Sequence, residues 1–244
     1  MSKLSALLLA SLAGICFSTA AVSKEYTKQE IETIVHDYLI EHPEVLMEAA
    51  EKLHKKQLEQ AKNAEKTYLE TYKEEIFNSP HDGSVGPKDA RNVIVEFSDY
   101  NCGYCKRVKK LFFNVINKHK EKNDLRFVFK EFPILGPGSE AAAKTSLAVA
   151  KTYPERFLDF HMAIINQQSK LASFDDIKPI AEKLGFDWEK LLALAQSKEI
   201  ASVIEQNINL GMAMEITGTP CYIINGKFLR GAPQSESYIE SLLK

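Results

Sequence analysis

The spacing of apolar residues changes several times along the chain. Residues 4–17 form an almost unbroken apolar run behind a basic start at Met1-Ser-Lys. Further on, Ile31, Ile34, Val35, Tyr38 and Leu39 fall on one helical stripe, and Val45, Leu46, Ala49, Ala50 and Leu53 on a second. Thr27-x-x-Glu30 opens the first helix as a capping box; Pro43 ends it and suits the first turn of the next. Beyond Lys55 the stripe thins to Leu58, Ala61, Ala64, Tyr68 and Tyr72 among charges. Residues 93–97 and 125–132 read as strands, and residues 102–120 between them as a helix, which predicts a parallel pair joined by a crossover. Residues 139–214 read as helical, with starts at Ser139, Pro154, Ser173-x-x-Asp176 and Asp187. Strand character returns on either side of Asn225-Gly226, a strong hairpin signal, and residues 234–244 read as a last helix.

This pattern divides the chain into three parts. Residues 1–21 read as a cleaved export signal: the apolar run is too short to span a bilayer and ends in the small residues Ser18-Thr-Ala-Ala21, so cleavage is expected after Ala20 or Ala21. Cys16 raises the alternative of a lipid anchor, but Ile15 before it is a poor fit to that processing. Residues 22–85 read as a helical arm and linker, bounded by the turn-rich stretch Ser79 to Pro87. Such an arm cannot bury its stripe alone and must pack on the main domain or, by preference, on copies of itself. Residues 86–244 then form an α/β domain of order β-α-β, helical insertion over 139–214, β-β-α. Once Lys3 leaves with the signal, about 30 basic residues face 33 acidic ones, a balance that points to no nucleic acid partner.

The exported chain keeps three cysteines, Cys102, Cys105 and Cys221, an odd count that argues against a purely structural disulfide framework. Cys102 and Cys105 stand two residues apart between a strand and a basic helix. The first sulfur therefore lies at a helix N-terminus, where unpaired N–H groups and the helix dipole favour a thiolate. The second lies one turn on, within reach of a mixed disulfide formed by the first. This arrangement is that of thiol–disulfide exchange.

The strand–CxxC–helix unit, the helical insertion and Gly218-Thr-Pro-Cys-Tyr-Ile-Ile-Asn-Gly226 together resemble the DsbA-like branch of the thioredoxin superfamily over about residues 88–244. The arm from Ile31 resembles the N-terminal region of ScsC-type relatives, whose extension associates into dimers or trimers. The resemblance implies a thioredoxin fold with a helical insertion, Cys102 as nucleophile, Cys105 as resolving cysteine, and a redox-active Cys102–Cys105 disulfide with no other cofactor. It also implies a cis-proline loop at Thr219-Pro220 that, with Tyr104, receives an extended substrate. Glu96 matches a buried acid beneath the disulfide, with Lys130 on the next strand as its expected partner in proton movement. Gly103-Tyr104 replaces the Pro-His of strongly oxidising members, so Cys102 is expected above the low end of reactive-cysteine pKa values, at ~3.5. Gly-Tyr is similar to the dipeptide of DsbC-type isomerases.

Three functions follow from that resemblance. The first is an isomerase and reductase acting on misfolded exported proteins in the periplasm, kept reduced by a DsbD-like membrane reductase. The second is a disulfide donor reoxidised by a DsbB-like partner, or a dual enzyme. The third, of another class, is a Cu(I)-binding protein in which Cys221 joins Cys102 and Cys105 as a thiolate ligand. Otherwise Cys221 is a small buried residue at the start of a core strand, and Lys106, Arg107, Lys109 and Lys110 either add positive potential near Cys102 or form a solvated helix face.

Overall fold

The computed structural model describes residues 25–244, so the expected signal segment and Cys16 lie outside the described residues. The chain divides into two compact units, Met1–Leu58 and Glu59–Lys244. In the first, α1 (Lys28–Glu41) starts at the expected capping box: Glu30 N–H donates to the Thr27 hydroxyl at 3.3 Å, and Thr27 N–H to the Glu30 carboxylate at 2.9 Å. Helix α2 (Glu44–Thr71) starts directly after Pro43. No residue of α1 or α2 is buried, and Ile34, Tyr38 and Leu53 stay 54%, 51% and 57% exposed.

In the second unit a five-stranded sheet has the order β1-β3-β2-β4-β5. The strands are β1 (Gly83–Val85), β2 (Asn92–Ser98), β3 (Leu125–Glu131), β4 (Cys221–Ile224) and β5 (Lys227–Arg230). As the crossover predicts, β2 and β3 are parallel; every other pairing is antiparallel. The hairpin turn forms at Asn225 and Gly226, both at positive φ (47° and 79°).

The expected boundary at 79–87 is corrected by β1, an edge strand paired to β3 with Ser84 opposite Val128. A three-residue strand is too short to leave a period in the sequence. The stretch before it also belongs to the core: Ile76 of α3 (Lys73–Phe77) is fully buried, and Tyr68, Leu69 and Tyr72 pack against the same cluster. The unit therefore begins at Glu59 rather than at 86.

Helix α4 (Gly103–Lys120) joins β2 to β3. The insertion comprises α5 (Pro137–Thr152), a short 3-10 turn at Pro154–Arg156, α6 (Phe157–Ile165), α7 (Phe174–Lys183), α8 (Trp188–Ala195) and α9 (Lys198–Ala213). The Ser173–Asp176 box and the Asp187 cap form as expected. Ser139 does not cap a helix: α5 starts earlier, at Pro137, and the buried Ser139 hydroxyl accepts from Asn101 Nδ2 at 3.2 Å. The last helix, α10, covers only Glu236–Glu240.

Alternation along the strands sorts the sheet into two faces. Ile94, Phe127, Phe129, Tyr222 and Ile224 share a cluster with Val108, Phe112 and Val115 of α4. Val95, Phe97, Val128, Cys221 and Ile223 share another with Ile76, Leu210 and Met214.

Candidate active site

The loop after β2 is fixed by buried Asp99. Its carboxylate accepts from Asn101 N–H at 2.8 Å and from Ile134 and Leu135 N–H at 2.8 and 2.9 Å. Its carbonyl accepts from Cys102 N–H at 2.9 Å. Asn101 adds a two-way bridge to Leu171, donating to its carbonyl and accepting from its N–H, both at 2.9 Å. The sequence reading passed over Asp99 and Asn101. The signal available was two short polar side chains just before a helix start, residues that habitually bond backbone groups in turns.

So held, Cys102 is the N-cap of α4, with extended backbone and 6% exposure. Its thiol donates to the Thr219 carbonyl at 3.2 Å, and the Thr219–Pro220 bond is cis. The hydrogen bond from Cys105 lowers the Cys102 pKa to about 5, with help from the Thr219 side chain and the backbone N–H groups of Cys105 and Tyr104, against the effect of burial. Cys105, one turn into α4 and buried, shifts upward because it gives that hydrogen bond, loses water and feels the Glu96 charge. One sulfur is thus ready as a thiolate at neutral pH while the other keeps its proton.

Glu96 points to the same face as Tyr222 and accepts from its hydroxyl at 2.9 Å. Burial pushes Glu96 up to about 7 despite that hydrogen bond, and the Cys102 charge adds to the rise. A crevice of about 20 Å³, lined by Glu96, Ser98, Cys105, Lys109 and His161 among others, has room for roughly one water. Tyr222 is a third residue that the sequence alone does not mark: strand alternation separates it from Cys221, but nothing in the chain says which acid it meets.

The expected Glu96–Lys130 partnership is corrected. In the parallel register Glu96 lies beside Phe129 and Lys130 beside Phe97, so the two side chains leave opposite faces of the sheet. Lys130 is fully buried, paired with Asp82 and donating to the Glu75 carbonyl; Asp82 in turn accepts from Asn207 at 3.2 Å. The three-thiolate metal set is corrected too. Cys221 packs with Phe97 and Met214 in the other cluster, and among the described residues no group of three or more His, Cys, Asp or Glu is placed to hold a metal ion.

Tyr104 is 57% exposed, with the Arg107 guanidinium 4.8 Å from its ring centre. Tyr104, Arg107, Thr219, Pro220, Cys221 and Arg230 are among the residues lining an open groove of about 440 Å³.

The DSBA-like thioredoxin domain description matches residues 93–242. The chain belongs to the DSBA-like thioredoxin domain family. Residues 28–60 match a second description, the copper resistance protein ScsC N-terminal domain. Disulfide bond formation protein D of Bacillus subtilis is 30% identical over 175 residues, which cover 66% of this chain and 75% of that protein. Among solved structures, BcfH of Salmonella enterica Typhimurium superposes with a TM-score of 0.73 at 26% identity, covering 88% of this chain and 93% of that one. Proteus mirabilis ScsC in a transitional conformation gives 0.64 at 26% identity, covering 88% and 94%. With its CxxC pair at the start of α4, this DsbA/ScsC-type chain is a thiol–disulfide oxidoreductase. Among the described residues no helix is long and apolar enough to cross a membrane.

Proposed function

We propose that this chain is an exported disulfide isomerase and reductase that works on misfolded proteins in the periplasm. Cys102 attacks a wrong disulfide, forming a mixed disulfide and expelling the substrate's other sulfur as a thiolate. That thiolate then attacks elsewhere in the substrate, or Cys105 attacks the mixed disulfide and leaves the Cys102–Cys105 disulfide behind. A DsbD-like membrane reductase restores the dithiol, and no further cofactor is needed. The observation that carries this reading is the apolar stripe of α1, no residue of which is buried, in a segment matched to the ScsC N-terminal region. Two or three copies joined through it would set several Cys102 sulfurs around one misfolded substrate.

The test is recovery of activity from a scrambled-disulfide substrate by the reduced exported chain. Ile34→Asp with Tyr38→Asp, which puts two charges on the stripe, is expected to give a monomer that keeps dithiol reactivity and loses most isomerisation. Cys102→Ser is expected to lose both. A monomeric double variant that isomerises as well as the parent chain overturns the reading.

One observation favours the disulfide-donor alternative, with a DsbB-like partner. A Cys102 thiolate stabilised to a pKa of about 5 stabilises the reduced enzyme, which makes its disulfide a stronger oxidant. A reduction potential near the oxidising end of the known range, ~−120 mV, selects the donor; one nearer ~−180 mV or below selects the isomerase.

A further inference from the structure

Beside the crevice lie four buried polar side chains that the exchange chemistry above does not use. The Tyr100 hydroxyl donates to Glu131 Oε1 at 3.0 Å, and lies 2.8 Å from Ser146 Oγ and 2.9 Å from His161 Nδ1. These residues come from four places: the loop after β2, the end of β3, α5 and α6. All four are buried, and among the described residues Glu131 Oε2 has no hydrogen-bond partner. A half-satisfied polar cluster is expensive in a core, and hydrophobic side chains would fill the same volume at less cost. His161 joins the cluster to the sulfurs, because its ring also lines the crevice that holds Glu96, Ser98 and Cys105.

We propose that Glu131 is a proton reserve for the buried sulfur, acting through Tyr100, His161 and Glu96. The inference rests on Cys105 being the resolving cysteine. When a substrate thiolate attacks Cys102 of the oxidised pair, a substrate–Cys102 bond forms and the Cys102–Cys105 bond breaks. The electron pair goes to Cys105 Sγ, where burial disfavours an anion. Glu96 gives Cys105 a proton through the crevice, and Glu131 restores the Glu96 proton: the Tyr100 hydroxyl turns to donate to His161 Nδ1 while its oxygen takes the Glu131 proton, and His161 gives its Nε2 proton to Glu96 across the crevice. In the opposite direction Cys105 attacks the mixed disulfide, the substrate leaves as thiolate, and the Cys105 proton returns by the same path. One proton moves along the relay in each case and the electrons stay on sulfur.

The protonation states agree with that geometry. Burial raises Glu131 to about 8, against the Ser146 and Tyr100 hydrogen bonds, and the charges of Glu96 and Asp82 add to the rise. Glu131 therefore holds its proton at neutral pH, while Glu96, at about 7, gives and takes one readily. Burial depresses His161 to about 3, so the imidazole stays neutral and can accept on one nitrogen while donating from the other. Tyr100, His161, Glu96 and Asp82 are the titratable groups that set the environment of Glu131.

The experiment is rapid-quench thiol trapping on the full exported chain, oxidised and mixed with a small dithiol, from pH 6 to 9. Glu131→Gln keeps an oxygen for Tyr100 but removes the proton; Tyr100→Phe keeps the ring and cuts the relay. In both, the step that releases Cys105 is expected to slow about tenfold, since relayed acid–base catalysis is worth part of the usual range. Its pH profile should lose the inflection near 8, while the Cys102 thiolate titration stays put. Normal rates and an unchanged profile in either folded variant overturn the relay. If Glu131→Gln does not fold, Tyr100→Phe decides alone; Ser146→Ala, which removes a hydrogen bond that lowers the Glu131 pKa, should keep the relayed step and move its inflection upward. Cys105→Ser separates the two layers: if it still expels substrate from the mixed disulfide, the resolving role itself fails.

Discussion

Glu96 and Lys130 are both buried in the central sheet, one on each face, and their surroundings differ in kind. Among the described residues Glu96 has a tyrosine hydroxyl for a partner and Glu131 two hydroxyls, none of them a cation, so burial prevails over those hydrogen bonds and shifts both carboxyls toward the neutral form. Lys130 has a carboxylate, a backbone carbonyl and, one step further, an amide on that carboxylate. The second arrangement fixes a segment: it ties the stretch from α3 to Asp82 onto β3. The first leaves protons free to move next to a sulfur. Buried charge by itself therefore does not mark a site; its partners do.

The largest effect that would break this comparison is at Lys130. Lys130→Met strands the Asp82 carboxylate in the core, and removing one member of a buried pair costs about 3–5 kcal/mol. Urea denaturation should show that loss as a lower midpoint, with Cys102 reactivity toward a small disulfide unchanged. A variant that folds normally but exchanges slowly would return Lys130 to the site.

On the other face the same kind of change should have the opposite sign. Glu96 has a folded-state pKa raised from 4.5 to about 7, so the native state holds its proton more tightly than the unfolded chain does. Its contribution to stability is whole below 4.5 and is lost as pH rises through 7. Glu96→Gln keeps an acceptor for Tyr222 and removes the titration. It should add about 3 kcal/mol at pH 9 and almost nothing at pH 4, while slowing the Cys105 step. Such a gain in stability at the expense of rate is what a strained functional site predicts. Denaturation curves at the two pH values check it; equal shifts at both would mean that Glu96 does not ionise in the pH range of the reaction.

Much of this was legible in the sequence because the signals were local. The capping boxes at Thr27 and Ser173, the Asn225-Gly226 turn and the CxxC pair between a strand and a helix each depend on a few neighbouring residues. What was not legible is register. Whether Lys130 or Glu131 shares a face with Glu96 depends on a one-residue offset between β2 and β3, which no local pattern encodes. The family resemblance pairs Glu96 with Lys130; the residue on the sulfur side is Glu131. Similarly, β1 is three residues long and takes its place from its partner strand, and the role of residues 68–77 in the core emerges only from packing.

The smallest effect belongs to Cys221, which tests whether the faces are independent. Its side chain shares a cluster with Phe97, Ile223 and Met214, and burial lifts its pKa to about 11, so it stays a thiol at neutral pH. It also lines the groove beside Pro220, and a reactive third thiol there would compete with Cys102 for substrate. Cys221→Ala removes one buried sulfur and should cost about 1 kcal/mol through the small cavity it leaves. The Cys102 titration and the exchange rate should not move, since neither hydrogen bonds nor charge from Cys221 contribute to holding that thiolate. Loss of a slow alkylation event with unchanged exchange would fit a buried bystander. A shift in the Cys102 titration would show that the sheet transmits chemistry from one face to the other, and the separation drawn from Glu96 and Lys130 would fall with it.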